Sequence, residues 1–224
     1  MTAILSQQSA GDLWADAVYQ LPDEVKQYIN FNQPDKLKIL DELRKAAETS
    51  REESIKSRWK FTRKSGETVI VRDLFEKIIR WIDTFKQIGD VAVQYDPVHA
   101  SLPWAGIRFL LQIAVGDAKK SGTMIESLAW IAEIICRYRV TEAMYAQTAG
   151  ESGDGLRRAV VKLYASILLY LSKANKYFGQ KTAERAFRGV GFDATRLDSD
   201  MNEIRTAEVD IDRWMALADR NGVF

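Results

Sequence analysis

The chain has 224 residues, of which 46% are hydrophobic and 28% are charged. A chain of this length can form one domain that removes roughly 70% of its unfolded surface from water. Its 32 basic and 31 acidic residues nearly cancel, so no overall positive field favours nucleic acid, and we expect no nucleic-acid partner. The one cysteine, Cys136, excludes an internal disulfide and a multi-cysteine metal site, and it is consistent with a cytoplasmic protein.

The N-terminal third, residues 1–66, is more polar than the remainder. We expect it to pack on a bundle core formed by residues 67–220, within one domain that spans 1–224. Its first residues lack the basic segment and the apolar run of a secretory signal. Residues typical of helix starts predict three helices in this part, beginning near Asp12, Pro22 and Pro34.

The strongest local charge feature is the segment 54–65, SIKSRWKFTRKS, which contains basic residues and no acidic residue. Cations at a helix C-terminus complement the helix dipole, so the first interpretation is structural. The alternatives are binding to an anionic membrane or to an acidic protein surface. The acidic surface could be the last helix of the chain, 193–219. A contact between this helix and the basic segment would then act as an intramolecular latch. The candidate patch consists of Lys56, Arg58, Trp59, Lys60, Phe61, Arg63 and Lys64.

The flanks of this segment carry little secondary-structure signal. The apolar stripe thins over residues 46–57, which predicts a solvated or frayed helix, and residues 64–67 predict a loop. Residues 68–71, TVIV, have strand character, but we expect no sheet because the run has no partner strand. The sequence therefore predicts an all-α fold.

Apolar residues recur at helical spacing through the rest of the chain. Thr123 and Glu126 match a capping box, and residues 150–155 are expected to form the tip of a helical hairpin. Glu208 occupies an otherwise apolar position of the last helix. The predicted architecture is a multi-helix bundle of long antiparallel helices around a central apolar helix at about 97–115. The other long helices are predicted at about 73–95, 123–145, 154–179 and 193–219.

The central stretch 96–116, DPVHASLPWAGIRFLLQIAVG, is the most apolar part of the chain. Ser101 can cap a helix that carries Pro103 in its first turn. Apolar residues, among them Phe109, lie on nearly every side of this helix and are expected to be buried. The proline and two polar residues interrupt the only candidate membrane span, 98–115, so a buried helix is the better interpretation.

The sequence offers little chemistry. No P-loop motif is present. The single histidine, His99, has no second imidazole or nucleophile motif to work with, so we expect it to cap or pack. Cys136 is expected to be buried and unreactive. We therefore expect no enzyme, no cofactor and no metal site. We expect five acidic residues to lie on solvated helix faces: Glu52, Glu53, Asp198, Asp200 and Glu203.

One element of the central stretch resembles a known family. It reads D-P-x-H-A-x-x-x-W-A-G and contains Asp96, Pro97, His99, Trp104 and Gly106. It resembles the signature of helical N-terminal domains of fungal NOD-like (STAND) receptors, of the HeLo-like and Goodbye-like group. In those receptors the domain precedes a NACHT nucleotide-binding domain and ankyrin or similar repeats. Softer similarities to the same domains lie at Leu13 with Trp14 and at 163–179.

The resemblance implies a non-enzymatic signalling domain that works by helix-bundle rearrangement or self-association. The implied outputs are programmed cell death, allorecognition or defence, and the implied partners are the downstream NACHT domain and further copies of the chain. The alternative is a HeLo-like cell-death effector that uses the candidate patch to move from the cytoplasm to a membrane on activation. From the residues themselves, we expect the signature positions to serve helix packing.

Overall fold

In the computed structural model, the described part of the chain comprises residues 13–27, 36–92, 101–115, 118–145, 150–179 and 194–220. It is almost entirely helical, so the predicted all-α bundle is confirmed. Within these ranges, every helix is too short or too polar to span a bilayer. The helices are α1 (Leu13–Gln20), α2 (Asp23–Lys26), α3 (Lys36–Lys56), α4 (Val71–Ala92), α5 (Leu102–Val115), α6 (Ala118–Tyr145), α7 (Glu151–Gly179) and α8 (Ala194–Arg220), and the strands are β1 (Lys60–Thr62) and β2 (Thr68–Ile70).

Helix α5 is the central apolar helix that the sequence predicts. It contacts α3, α6 and α7, and Trp104 and Ile107 are fully buried. Pro103 lies in its first turn, where the missing N–H breaks no helical hydrogen bond. The predicted burial of Phe109 is wrong, since this side chain is 41% exposed. The three neighbouring helices cover the other faces of α5 and leave this one to solvent.

Gly106 lets α5 approach α7 closely, as the sequence predicts. A β-carbon at this position would lie 3.2 Å from both Cβ and Cδ1 of Leu171. Protein interiors have little free space into which such a side chain could retreat. A larger residue at position 106 would therefore require Leu171 to give way by a few tenths of an ångström.

Two ion pairs show that α3 and α4 run antiparallel. Arg44 and Lys86 bind Asp83 and Asp41, respectively, across the α3–α4 pair, with Arg44 Nε 2.8 Å from Asp83 Oδ1. Each contact joins an early residue of one helix to a late residue of the other. This is the arrangement that the long apolar stripes predict.

Helix α1 packs on α7 through two aromatic rings. The ring centroids of Trp14 and Tyr164 lie 3.7 Å apart and their planes differ by 4°. Beside them, Arg157 of α7 binds Asp16 of α1 at 2.8 Å. Because Tyr164 is fully buried, this part of the polar N-terminal third lies directly on the core of the bundle.

Two predicted helix boundaries are wrong. Helix α6 begins at Ala118, so Thr123 and Glu126 lie within the helix and form no capping box. Helix α7 begins at Glu151, so most of the expected loop at 150–155 is helical. Gly150, directly before this helix, has a positive φ of 83°, a conformation that glycine adopts at little cost.

Candidate functional site

The basic segment begins at the end of a continuous helix. Of the two alternatives predicted for 46–57, a solvated or a frayed helix, the structure shows the solvated one, because α3 runs unbroken to Lys56 and few of these residues are buried. Ser50 and Ser54 occupy buried positions there, and their hydroxyls donate to main-chain carbonyls of the preceding turn at 2.8 and 2.7 Å. Where the apolar pattern is weak, the inner face of α3 is thus formed by small serine side chains that bond to carbonyls of the same helix.

Helix α3 ends in a Schellman motif. The N–H of Trp59 donates to the carbonyl of Ser54 at 3.0 Å, and the N–H of Arg58 donates to the carbonyl of Ile55 at 3.2 Å. Arg58 has a φ of 50°, the left-handed conformation that normally favours glycine at this position. An arginine in this place costs backbone energy that glycine would not.

The residues that follow form a β-hairpin. Lys60 pairs with Ile70 and Phe61 with Val69 in antiparallel register. The expectation that residues 68–71 lack a partner strand is therefore wrong, because the basic segment itself supplies the second strand. Two short strands are marginal alone, so the hairpin depends on the helix beneath it.

The turn of the hairpin confirms the loop predicted at residues 64–67. The N–H of Arg63 donates to the carbonyl of Glu67 at 2.8 Å, and the N–H of Gly66 donates back to the carbonyl of Arg63 at 2.9 Å. These two bonds close the loop between the strands.

The inner face of the hairpin packs on α6. Phe61 and Val69 are half-buried, whereas their neighbours along each strand are exposed. Phe61 lies against Gly122, where an added β-carbon would meet the phenyl ring at 2.4 Å. Glycine at position 122 is therefore required for this contact, and the aromatic residue of the basic segment is committed to packing.

Two cations of the candidate patch are also engaged within the molecule. Arg63 donates from Nε to Glu126 on α6 at 2.9 Å and also binds Glu67. Hydrogen bonds to these carboxylates raise the pKa of Arg63 above its ordinary value. Lys64 binds Asp198 on α8 at 3.0 Å, so the predicted contact between the basic segment and the last helix is present. Lys64 is 91% exposed, and this pair alone stabilises little.

The structure thus divides the candidate patch. Phe61 and Arg63 hold the hairpin to the bundle, Lys64 is paired with Asp198, and Trp59 is half-buried against the core. The other three cations, Lys56, Arg58 and Lys60, are exposed, and none of them forms an ion pair with a described residue. Charge alone in the sequence could not separate these two sets.

Trp104 and Gly106 are the two signature residues that the structure describes, and both serve packing. Trp104 is fully buried and meets Phe85 of α4 with ring centroids 5.0 Å apart and planes at 57°. Its indole N–H has no acceptor among the described residues. Asp96, Pro97 and His99 lie outside the described residues.

A buried polar cluster between α6 and α7 went unnoticed in the sequence. The hydroxyl of Tyr164 donates to Glu142, and Arg139 binds the same carboxylate at 2.6 Å. The Glu142 side chain is 10% exposed. Burial raises its pKa above the ordinary value, although both hydrogen bonds oppose this shift. The only hint in the sequence was an acidic residue on the inner face of a helix.

Replacing Glu142 with glutamine is expected to make stability less dependent on pH. Because the folded-state pKa lies above 4.5, the stabilisation linked to Glu142 is complete below pH 4.5 and is lost as pH rises through the folded pKa. Glutamine keeps the acceptor for Tyr164 and does not titrate. The glutamine variant should therefore gain stability relative to the wild type as pH rises, by at most about 1.4 kcal/mol per pH unit. Chemical denaturation at a series of pH values measures this difference, and a constant difference would contradict a raised pKa.

Cys136 is buried, as predicted. Its thiol donates to the carbonyl of Trp81 at 3.1 Å, and burial raises its pKa to about 12. The reactive thiolate is therefore disfavoured at neutral pH. In the described ranges, no group of three His, Cys, Asp or Glu side chains is arranged to hold a metal ion.

Helix α8 carries acidic residues into its interface with the bundle. Glu208 is 15% exposed, and Arg137 of α6 donates to it at 2.9 Å. Asp200 is 6% exposed and binds Lys173 of α7 at 2.6 Å. The expectation that Asp200 lies on a solvated face is therefore wrong. A lysine on the facing helix supplies the countercharge that makes its burial tolerable.

Residues 73–222 match a protein family described as a domain of unknown function, DUF7708. The matched segment covers α4 to α8 almost completely and is more than half of the chain. This chain belongs to the DUF7708 family. No curated protein and no solved structure matches it. The DUF7708 segment includes Trp104, Gly106, Glu142 and the acidic contacts of α8, whereas the candidate patch precedes it.

Proposed function

We propose that this chain is a non-enzymatic signalling domain of a fungal NOD-like receptor, acting by movement of α8 and self-association of the opened bundle. The resemblance of the 96–106 element to such domains supports the receptor assignment. Membership of DUF7708 is compatible with it. In this proposal the downstream NACHT domain controls the bundle, and the output is cell death, allorecognition or defence.

The observation that carries the proposed mechanism is how α8 is held. Five of its acidic residues contact polar groups on other elements, and most of these contacts are partly exposed to solvent. The exposed contacts among them are individually weak and are screened by salt, so they can be exchanged at low cost, whereas Asp200 and Glu208 are mostly buried. The pairs are Asp198 with Lys64, Asp200 with Lys173, Glu208 with Arg137, Asp210 with Lys162 and Asp219 with Tyr145.

The inner face of α8 explains how movement would lead to association. Ile204, Ala207 and Ile211 are fully buried against the bundle. If α8 moved away, these residues and the facing surface of α7 would meet water. Exposed apolar surface of this kind is characteristic of protein–protein contact sites. A second opened copy presents the same surface and can cover it.

Charge reversal on α8 tests this mechanism. Asp198→Lys combined with Asp210→Lys places lysines opposite Lys64 and Lys162. We expect the docking of α8 to weaken by about 1 to 2 kcal/mol, which raises the opened fraction about five- to thirty-fold. Hydrogen exchange of the α8 amides measures opening, and sedimentation velocity over a range of concentrations measures association.

The matched control is Glu203→Lys with Asp212→Lys. It changes the net charge equally at exposed positions of α8. In the intact receptor, the Asp198 and Asp210 variant is expected to cause cell death without the receptor's ligand, and the control is not. The mechanism is wrong if α8 opens while the protein stays monomeric at every concentration, or if the control variant behaves in the same way.

A further inference from the structure

We propose that the end of α3 and the outer face of the β-hairpin form a docking surface for an anionic membrane. Its cations are Lys56, Arg58 and Lys60, which are exposed and form no ion pair with a described residue. Side chains already held in ion pairs could bind lipid only by breaking those bonds. These three are available without such a cost, and each cation near an anionic surface strengthens binding about five-fold.

Two exposed isoleucines accompany these cations. Ile55, in the last turn of α3, is 50% exposed, and Ile70 at the end of β2 is 40% exposed. The strand register places Ile70 directly opposite Lys60, and Ile55 is one turn before Arg58. The surface therefore combines positive charge with apolar side chains that can enter the lipid interface.

The backbone at Arg58 brings the two parts of this surface together. Its positive φ ends α3 and turns the chain directly into β1. The exposed cations therefore lie on the last helical turn, on the turn residue itself and on the first residue of the strand. A helix that continued past Lys56 would place Arg58 on the side opposite Lys56 and Lys60.

The same observations argue against nucleic acid and against a folded protein as the partner. Trp59 and Phe61 are half-buried on the core, so they are not free to stack on bases, as binding of single strands requires. Two isoleucines and three cations are far fewer than the roughly 20 to 30 residues that each partner contributes to a stable protein interface. A fluid bilayer needs no complementary shape. The inference does not depend on movement of α8.

Co-sedimentation with vesicles of phosphatidylcholine, with and without phosphatidylserine, tests the proposal. We expect the full chain to bind only the vesicles that contain phosphatidylserine, and less at higher salt. The combination Lys56→Gln, Arg58→Gly and Lys60→Gln should lower the partition coefficient about 100-fold. Because glycine suits the backbone at position 58, the replacement there is not expected to damage the fold.

The matched control removes three exposed cations elsewhere, with Lys45→Gln, Arg158→Gln and Arg220→Gln. It should retain binding within about five-fold, the effect of one cation. Glu52→Gln provides a gain of function, because it removes an exposed acid one turn before Lys56 and should strengthen binding. Thermal unfolding of each variant checks that it is folded.

Three results would overturn the proposal. The first is that the chain does not bind anionic vesicles at low salt. The second is that the control and the patch variant lose binding equally. The third is that the chain binds polyglutamate or RNA but not anionic lipid. None of them bears on the oligomerisation experiment with Asp198 and Asp210, so the two proposals can fail separately.

Discussion

Replacement of Trp104 by alanine is expected to lower the free energy of unfolding by about 3 to 5 kcal/mol, the range for large aromatic residues in a core. Trp104 is fully buried at the centre of the bundle. Its ring meets Phe85 of α4, and its helix is pressed against α7 at Gly106. Alanine would leave a cavity between helices that cannot close without moving one of them.

Trp104→Phe is the matched control. The indole N–H has no acceptor among the described residues, so phenylalanine loses no hydrogen bond seen there and leaves a smaller void. We expect it to cost less than half as much as alanine. Equilibrium unfolding in urea measures both variants. Near-normal stability of the alanine variant would mean that Trp104 faces solvent or a partner and that α5 is not the core helix.

Replacement of Lys173 by methionine is expected to lower the free energy of unfolding by about 2 to 3 kcal/mol, because it leaves a buried carboxylate without its countercharge. Asp200 is 6% exposed; Lys173 binds its Oδ1, and its Oδ2 has no hydrogen-bond partner among the described residues. The expected loss lies below the about 3 to 5 kcal/mol of a fully buried pair, since Lys173 is 41% exposed and water screens part of the interaction.

A second substitution, Asp200→Asn, is expected to change stability in opposite directions in two backgrounds. In the wild type, Asp200→Asn should destabilise the protein, because it weakens the bond to Lys173. In the Lys173→Met background, the same change should stabilise it, because it removes the unpaired buried charge. A double-mutant cycle from urea unfolding measures both effects. If Asp200→Asn destabilises in both backgrounds, the carboxylate is hydrated and the pair is not important for docking α8.

The fold could be predicted from the sequence where apolar residues alone determine burial. Pro103, Trp104 and Gly106 have their predicted places because first-turn geometry, ring size and close approach are local properties. The pattern failed where polar residues are buried. Ser50 and Ser54 complete the inner face of α3 by bonding to its own carbonyls, and no apolar period reveals such residues.

The candidate patch could be located from the sequence but not divided. A run of cations predicts a charged surface, whereas the role of each residue depends on whether it alternates outward on β1, as Lys60 does, or lies in the turn beside α6, as Arg63 does. That alternation was hidden because the partner strand, residues 68–70, is short and follows a turn. Asp200 and Glu142 were missed for a related reason. Their partners, Lys173 and Tyr164, are distant in sequence and become neighbours only when helices pack.

The junction between β2 and α4 couples the surface of the molecule to its interior. Strand β2 ends at Ile70 and α4 begins at Val71, with no residue between them. Val71 is fully buried, and its N–H donates to the carbonyl of Trp59 at 3.2 Å. No linker residue separates the hairpin from α4, so a movement of the hairpin is passed on to this helix. Such a movement would act directly on the first turn of α4, and on α6 through the bond between Arg63 and Glu126.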